Sequence, residues 1–310
     1  MKPIKLILDT DVGSDCDDVM AISYMIAAEK KGLAEPLAIT ISHPADYAPA
    51  GIRALYRSYG AKVPAMGQMS KENPRDDFYG KKIYEKFGEE NDLEPVGDAV
   101  ALLRKTLAES DGDVTLCAIG PLNNIADLLE SKGDDISPLC GSKLVKEKCS
   151  KLVLMAGGFI PNENGKNSPE WNVKVCIDSS KKVFELCKND IYMLPHEAAH
   201  TMVTGKYAVE TLGDKTPLTY AFLSFFNSVG RSSWDPATML WAVEGNRDLF
   251  TLSEAGRVTV DDIGTTDFCP DENGNCYIIG INRLENESFT DAQKRAAAYI
   301  DGAVNEILGI

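Results

Sequence analysis

Short continuous apolar runs alternate with amphipathic stretches along most of this chain. The runs IKLILD (residues 4–9), PLAITIS (36–42), VTLCAIG (114–120), KLVLMAGG (151–158) and DIYMLP (190–195) have strand length. They do not alternate apolar with polar, which is the pattern of strands covered on both faces. Between them lie DDVMAISYMIAAEKK, AGIRALYRSYG, VGDAVALLRKTLAES, PLNNIADLLES and SSKKVFELCKN, whose apolar positions recur at helical spacing. Strand, helix, strand in series predicts βαβ units and a parallel sheet. Past residue 215 the pattern turns helical, with TPLTYAFLSFFNSVG and DPATMLWAVEG. GRVTVDD and NCYIIGI then flank a Gly- and Asp-rich region, and their pairing is expected to form an antiparallel hairpin. TDAQKRAAAYIDGAVNEIL closes the chain as a helix. No repeat or linker interrupts the series. The expectation is one α/β domain over residues 1–310: a Rossmann-like, mostly parallel open sheet flanked by helices, with a C-terminal antiparallel hairpin. IPNENGKNSPE (160–170) is polar and Gly/Pro-rich and reads as a mobile loop.

Composition narrows the partners. The net charge is −15 over 310 residues, which disfavours nucleic-acid backbones and anionic membrane surfaces. No apolar run reaches the roughly 18 residues that span a bilayer, and MKPIKLILDTD has no secretory leader pattern, so a cytoplasmic location is expected. None of the eight cysteines forms C-x-x-C, and reduced core thiols are expected, a Cys269–Cys276 disulfide being the one pairing considered.

The chemistry concentrates in ILDTDVGSDCDD, residues 7–18, where five of twelve residues are aspartates at the end of an apolar strand. Asp9 and Asp11 alternate onto one face, and Asp17 and Asp18 open the next helix. Carboxylates this close repel unless some are protonated or a cation sits among them. Oxygen ligands of this kind suit Ca2+, or Mg2+ as the second choice. Plain helix capping by Asp17 and Asp18 with a solvated Asp15 is the structural alternative. An EF-hand loop fits poorly, because its twelfth position would be Met20. A D-x-D start also fits haloacid-dehalogenase-like phosphatases, but no later G-D-x-x-x-D follows.

DTDVGSDCDDVMAI resembles the acidic opening of the nucleoside hydrolases of the inosine–uridine-preferring type, with two extra residues before the paired acids. CAIGPLNNIADLL, VLMAGG with PEWNVKVCIDSSKKVF, and WDPATMLWAVEG are similar to later segments of that family, in order, over residues 7–245. The resemblance implies calcium-dependent hydrolysis of the N-glycosidic bond of a ribonucleoside or related riboside, as in purine or pyrimidine salvage, by a homodimer or homotetramer. It implies Asp11 as general base and calcium ligand. It implies Asp18, Asp235 and the backbone carbonyl of Ile119 as further ligands. Asp9 and Asp17 would contact sugar hydroxyls, and Met155, Glu170 and Asn172 would line the ribose pocket. Glu170 and Asn172 are two apart and would share a face of an extended segment. Taken singly, Asp235 before Pro236 would equally be an N-cap, and Met155 would be core.

Two positions depart from the family pattern. Trp234 stands where the family commonly has a histidine; it cannot act as an acid, and it would stack on a base or pack in the core. His43 and Pro44 replace the family's ribose-binding turn, and His43 is expected at the sugar or base. HEAAH (196–200) matches a zinc-protease motif, but no third ligand is apparent. The competing function is a sugar- or nucleoside-binding protein of the same fold with little or no turnover.

Overall fold

The computed structural model describes residues 2–69, 76–161, 165, 167–245 and 248–310. Part of the 160–170 loop therefore lies outside the described residues.

The apolar runs do form strands. They are β1 (Ile4–Thr10), β2 (Ala34–Ile41), β5 (Val114–Ala118), β6 (Cys149–Met155) and β7 (Asp190–Leu194), with β3 (Ala65–Gln68) and β4 (Gly97–Asp98), which no apolar run marked, between β2 and β5 in the chain. Then come β8 (Val203–Thr204), β9 (Arg231–Ser232), β10 (Phe250–Leu252), β11 (Gly256–Val260), β12 (Thr266–Pro270) and β13 (Cys276–Ile281). Eleven of them make one sheet in the order β12-β11-β13-β7-β6-β5-β1-β2-β3-β4, with β10 pairing on β13. β8 and β9 form a separate antiparallel pair. Every pairing from β13 through β7, β6, β5, β1, β2 and β3 to β4 is parallel, so the sheet is mostly parallel, as expected.

The sheet order reverses between β1 and β5. Ligands of open α/β sheets bind at the carboxyl ends of the strands at such a reversal. Here those ends carry Asp11 and Ile119. Gly120 is what lets them approach. A Cβ on it would lie 2.5 Å from Ser42 Oγ and 2.9 Å from the Asp11 Cβ.

Two helices fix the other side of the site. Helix Asp17–Lys30 is buried from Asp17 through Ala28, and helix Trp234–Glu244 is buried from Asp235 through Val243. A helix apolar all round belongs inside the molecule. These two pack on one another, and the terminal helix Phe289–Leu308 packs on both.

The C-terminal hairpin exists with a different partner. β11 pairs with β12, and its turn is Asp261–Thr265, where Asp261 Oδ1 accepts from Ile263 N at 3.0 Å and Thr265 N at 2.8 Å. This side-chain turn, followed by Gly264 at φ +86°, closes the hairpin locally. NCYIIGI, as β13, instead runs parallel beside β7 and touches β11 at one pair, Gly256 with Cys276. All eight cysteines are free thiols; Cys269 is exposed and Cys276 buried, so the disulfide is absent.

Candidate active site

β1 ends in a loop that is pinned from several directions. Gly13, at φ +114°, turns the chain, and its N–H donates to Tyr79 Oη at 2.8 Å. The same hydroxyl donates to the Asp15 carbonyl at 2.7 Å. Ser14 Oγ donates to Asp11 Oδ2 at 2.5 Å. Asp15 pairs with Arg231 of β9, Nε to Oδ1 at 2.9 Å. The loop's acids are thereby aimed, not free to spread.

Asp11, Asp17, Asp18, Ile119, Met155, Glu170, Asn172, Trp234 and Asp235 all line one cavity of about 920 Å3. Residues separated by more than two hundred positions therefore converge. Asp17, Asp18 and Asp235 come closest, each offering an oxygen within 4.8 Å of the others, and all three are buried. Both helices begin here, so their electropositive first turns face the carboxylates. Asp235 is not the N-cap of its helix; that residue is Ser233. Asp235 N donates instead to Asp17 Oδ2 at 3.1 Å, tying the two helix starts together. Asp17, expected at the sugar, is thus a member of the tightest acidic group. Asp11 lies outside that group but near enough that its charge acts on Asp18.

Burial raises all three of these carboxyls well above the ordinary aspartate range, and repulsion from the neighbouring aspartates, Asp11 and Asp15 among them, adds to it. Thr10 Oγ1 donates to Asp18 Oδ1, while Asp18 Oδ2 is buried with no hydrogen-bond partner. An unpartnered buried carboxylate oxygen beside two more carboxylates is the donor set a hard divalent cation takes. Ile119 lines the same cavity, and its carbonyl accepts from Asn172 Nδ2 at 3.0 Å, which engages one of the two lone pairs it carries.

Glu170 and Asn172 do not lie on an extended segment. Glu170 is the N-cap of helix Trp171–Lys174, accepting from Asn172 N at 2.8 Å and Val173 N at 3.2 Å. Its burial pushes its carboxyl up to about 7, against those backbone donors and that of Gly157. Asn172 Nδ2 also reaches the Met155 carbonyl at 3.1 Å, so this wall is cross-braced to β6.

Asp9 and His43 are placed differently from expectation. Both are fully buried and neither is among the described residues lining the cavity. Asp9 accepts from Thr40 Oγ1 at 2.6 Å and from Asn124 Nδ2 at 2.7 Å. Its carboxyl is pushed up to about 7 by burial. It lies near enough to Asp11 for the two charges to act on one another. His43 packs behind Gly13, whose Cβ would meet His43 Cδ2 at 3.3 Å. Pro44, its neighbour, does reach the cavity.

Trp234 is not a core residue. It lines the cavity, stacks on His196 with ring centroids 5.3 Å apart, and donates from Nε1 to the His196 carbonyl at 2.9 Å. The guanidinium of Arg231 lies 5.2 Å from its ring centroid. Burial and His200 lower the His196 imidazole below its usual range. HEAAH forms a single turn, His196–Ala199, and Glu197 Oε1 accepts from Phe159 N at 2.7 Å. No zinc-type grouping of these residues appears among the described residues.

Arg231, Tyr79, Asn124 and Trp171 are site residues that the sequence did not flag. Asn124 lay inside GPLNNIADLL, so a buried polar side chain at the start of an apolar helix was its signal. Arg231 and Tyr79 had none, since their partners are 216 and 64 to 66 positions away.

The pattern of the family described as inosine-uridine preferring nucleoside hydrolase matches residues 6–291. The chain belongs to that family. The members of this nucleoside hydrolase family are N-glycosyl hydrolases, so neither a phosphatase nor a protease reading applies to this one. A pyrimidine-specific ribonucleoside hydrolase RihA of Enterobacter sp. (strain 638) is 26% identical over 269 residues, covering 80% of this chain and 81% of the relative. An uncharacterised protein of Schizosaccharomyces pombe is 26% identical over 159 residues; the match spans about half of each protein, 47% in both cases. Among solved structures, the inosine-uridine preferring nucleoside hydrolase of Bacillus anthracis superposes with a TM-score of 0.65 at 16% identity, covering 95% of this chain and 99% of that one. That likeness shows the shared fold.

No helix among the described residues is long and apolar enough to cross a membrane.

Proposed function

We propose that this protein hydrolyses the N-glycosidic bond of a riboside to ribose and free base, using a calcium ion held by Asp11, Asp18, Asp235 and the Ile119 carbonyl, with Asp17 beside them. What supports this reading is the convergence of buried carboxylates, one with an unpartnered oxygen, on the floor of a cavity whose wall is Glu170, Asn172 and Met155. A bound divalent cation would orient and polarise the attacking water and the ribose hydroxyls.

The protein's own groups do the rest. Asp11 takes a proton from the water as its oxygen bonds to C1′ of the sugar. The C1′–N bond breaks and its electron pair leaves with the base. Positive charge gathers on the ring as it does so, and the surrounding carboxylates stabilise it. Direct attack by water with no covalent intermediate is the inverting course. Asn172, fixed by three acceptors, holds the wall against which the sugar is oriented.

A binding protein with little turnover is the second reading. It is favoured by one observation: Trp234, beside the metal-site residue Asp235, cannot act as a general acid. A panel of ribosides assayed with and without calcium, with Asp11→Ala as control, separates them. Calcium-dependent release of base that disappears in Asp11→Ala is expected. Riboside binding without release at any calcium concentration would support the second reading.

A further inference from the structure

We infer that the site is built for a positively charged N-riboside, one whose base is a quaternary, pyridinium-type ring. The inference rests on the riboside-hydrolase reading and names its substrate class. Three independent features of the cavity carry it.

The first is that no free proton donor stands at Trp234 among the described residues, the two oxygens of Glu170 both being taken by backbone N–H groups. A neutral nucleoside releases its base as an anion unless an acid protonates the ring, and such acids contribute roughly 10²–10⁴-fold. The ring beside Asp235 is Trp234, and its one polar hydrogen is already given to the His196 carbonyl at 2.9 Å. His196, the imidazole on the wall, is stacked flat on Trp234 and held toward its neutral form. A pyridinium riboside needs no donor. When its C1′–N bond breaks, the electron pair neutralises the ring nitrogen and a neutral pyridine departs. The water's oxygen bonds to C1′ and its proton goes to Asp11, so charge and atoms balance.

The second is the field. Asp11, Asp17, Asp18, Asp76, Glu170 and Asp235 line the cavity, with no lysine among the described lining residues. The arginine there, Arg231, is spent on Asp15. One divalent ion leaves the described lining net negative. That favours a cation and repels phosphorylated ribosides.

The third is the aromatic wall. Trp234, Trp171 and Phe78 all line the cavity, and Trp171 is 60% exposed, with its ring open to a ligand. Ring faces attract cations, as the Arg231 guanidinium over Trp234 already illustrates. A flat cationic base gains from the exposed Trp171 ring both by stacking and by charge, Trp234 being already engaged by His196 and Arg231.

The test is a comparison of kcat/KM on the calcium-loaded wild-type protein. The probes are nicotinamide riboside, inosine, uridine and p-nitrophenyl riboside. Nicotinamide riboside is expected to exceed inosine and uridine by about 100-fold or more, the span a missing proton donor opens between leaving groups. p-Nitrophenyl riboside is neutral and also needs no protonation, so its KM is expected to be higher than that of nicotinamide riboside. Trp234→His should narrow the preference by raising inosine turnover. Inosine or uridine matching nicotinamide riboside would overturn the inference and leave the hydrolase reading standing. So would p-nitrophenyl riboside being turned over without nicotinamide riboside. Turnover of none of the four would overturn the hydrolase reading itself.

Discussion

Individual side chains carry the chemistry, and their roles differ in kind. Asp11 sits on the cavity wall with Ser14 donating to its Oδ2, an arrangement that aims the carboxylate. Asp11→Asn should keep the shape and lose the base, lowering kcat by about 10²–10⁴-fold with calcium saturating; stopped assays of base release check this. Asp9 acts on Asp11 through its charge. Asn124→Ala removes one of the side-chain donors to Asp9 and leaves a buried carboxyl less satisfied. A loss of about 1–3 kcal/mol in stability is expected, read by urea denaturation. The acids on the wall were legible in the sequence because five aspartates at a strand end have few structural explanations. The exclusion of Asp9 and His43 from the cavity was not, because it depends on partners 31 to 115 positions away and on which way a strand's last residues face.

Secondary-structure elements turn these residues into a site. The alternation of continuous apolar runs with helical stretches was enough to read the parallel sheet. Its strand order was not written there, and the order creates the crevice between β1 and β5. The hairpin shows the limit well. The turn residues Asp261 to Gly264 were visible, but NCYIIGI is apolar enough to serve either a hairpin or a buried parallel strand. Burial beside β7 decided it. The short strand β12, with Pro270 at its end, was too polar to be read as a strand at all. Two substitutions probe how the elements hold the site. Gly120→Ala forces a methyl against Ser42 and the Asp11 Cβ, which should cost about 1–3 kcal/mol and displace the β1 loop. Thermal melting together with calcium affinity reads both effects. Tyr79→Phe leaves the Gly13 N–H without its acceptor and frees the Asp15 carbonyl. A rise in KM with little change in the melting of the core is the expected result.

At the scale of the whole molecule, charge and folding are coupled through the acidic cluster. The chain carries −15 overall, and Asp17, Asp18 and Asp235 are held in a buried group with raised pKa values. A raised carboxyl means that the folded state binds more protons than the unfolded one between the two pKa values. The ion-free protein therefore gains stability from these groups as pH falls from about 7.5 toward about 5.5, and loses it as pH rises. A cation that replaces those protons reverses the trend. The calcium-induced rise in melting temperature should be larger near pH 7.5 than near pH 5.5, because protons and calcium compete for the same oxygens; at a calcium concentration 100 times Kd the gain is about 2.7 kcal/mol. Differential scanning calorimetry at the two pH values, with and without calcium, reads the sign.

The central claim is that buried acids from two ends of the chain share one divalent ion. Isothermal titration of calcium into chelator-treated protein tests it most directly, with Asp18→Asn and Asp235→Asn beside the wild type. One calcium per chain is expected in the wild type, and no measurable binding in either variant. Wild-type protein that takes up no calcium, or variants that bind it as tightly as the wild type, would contradict it.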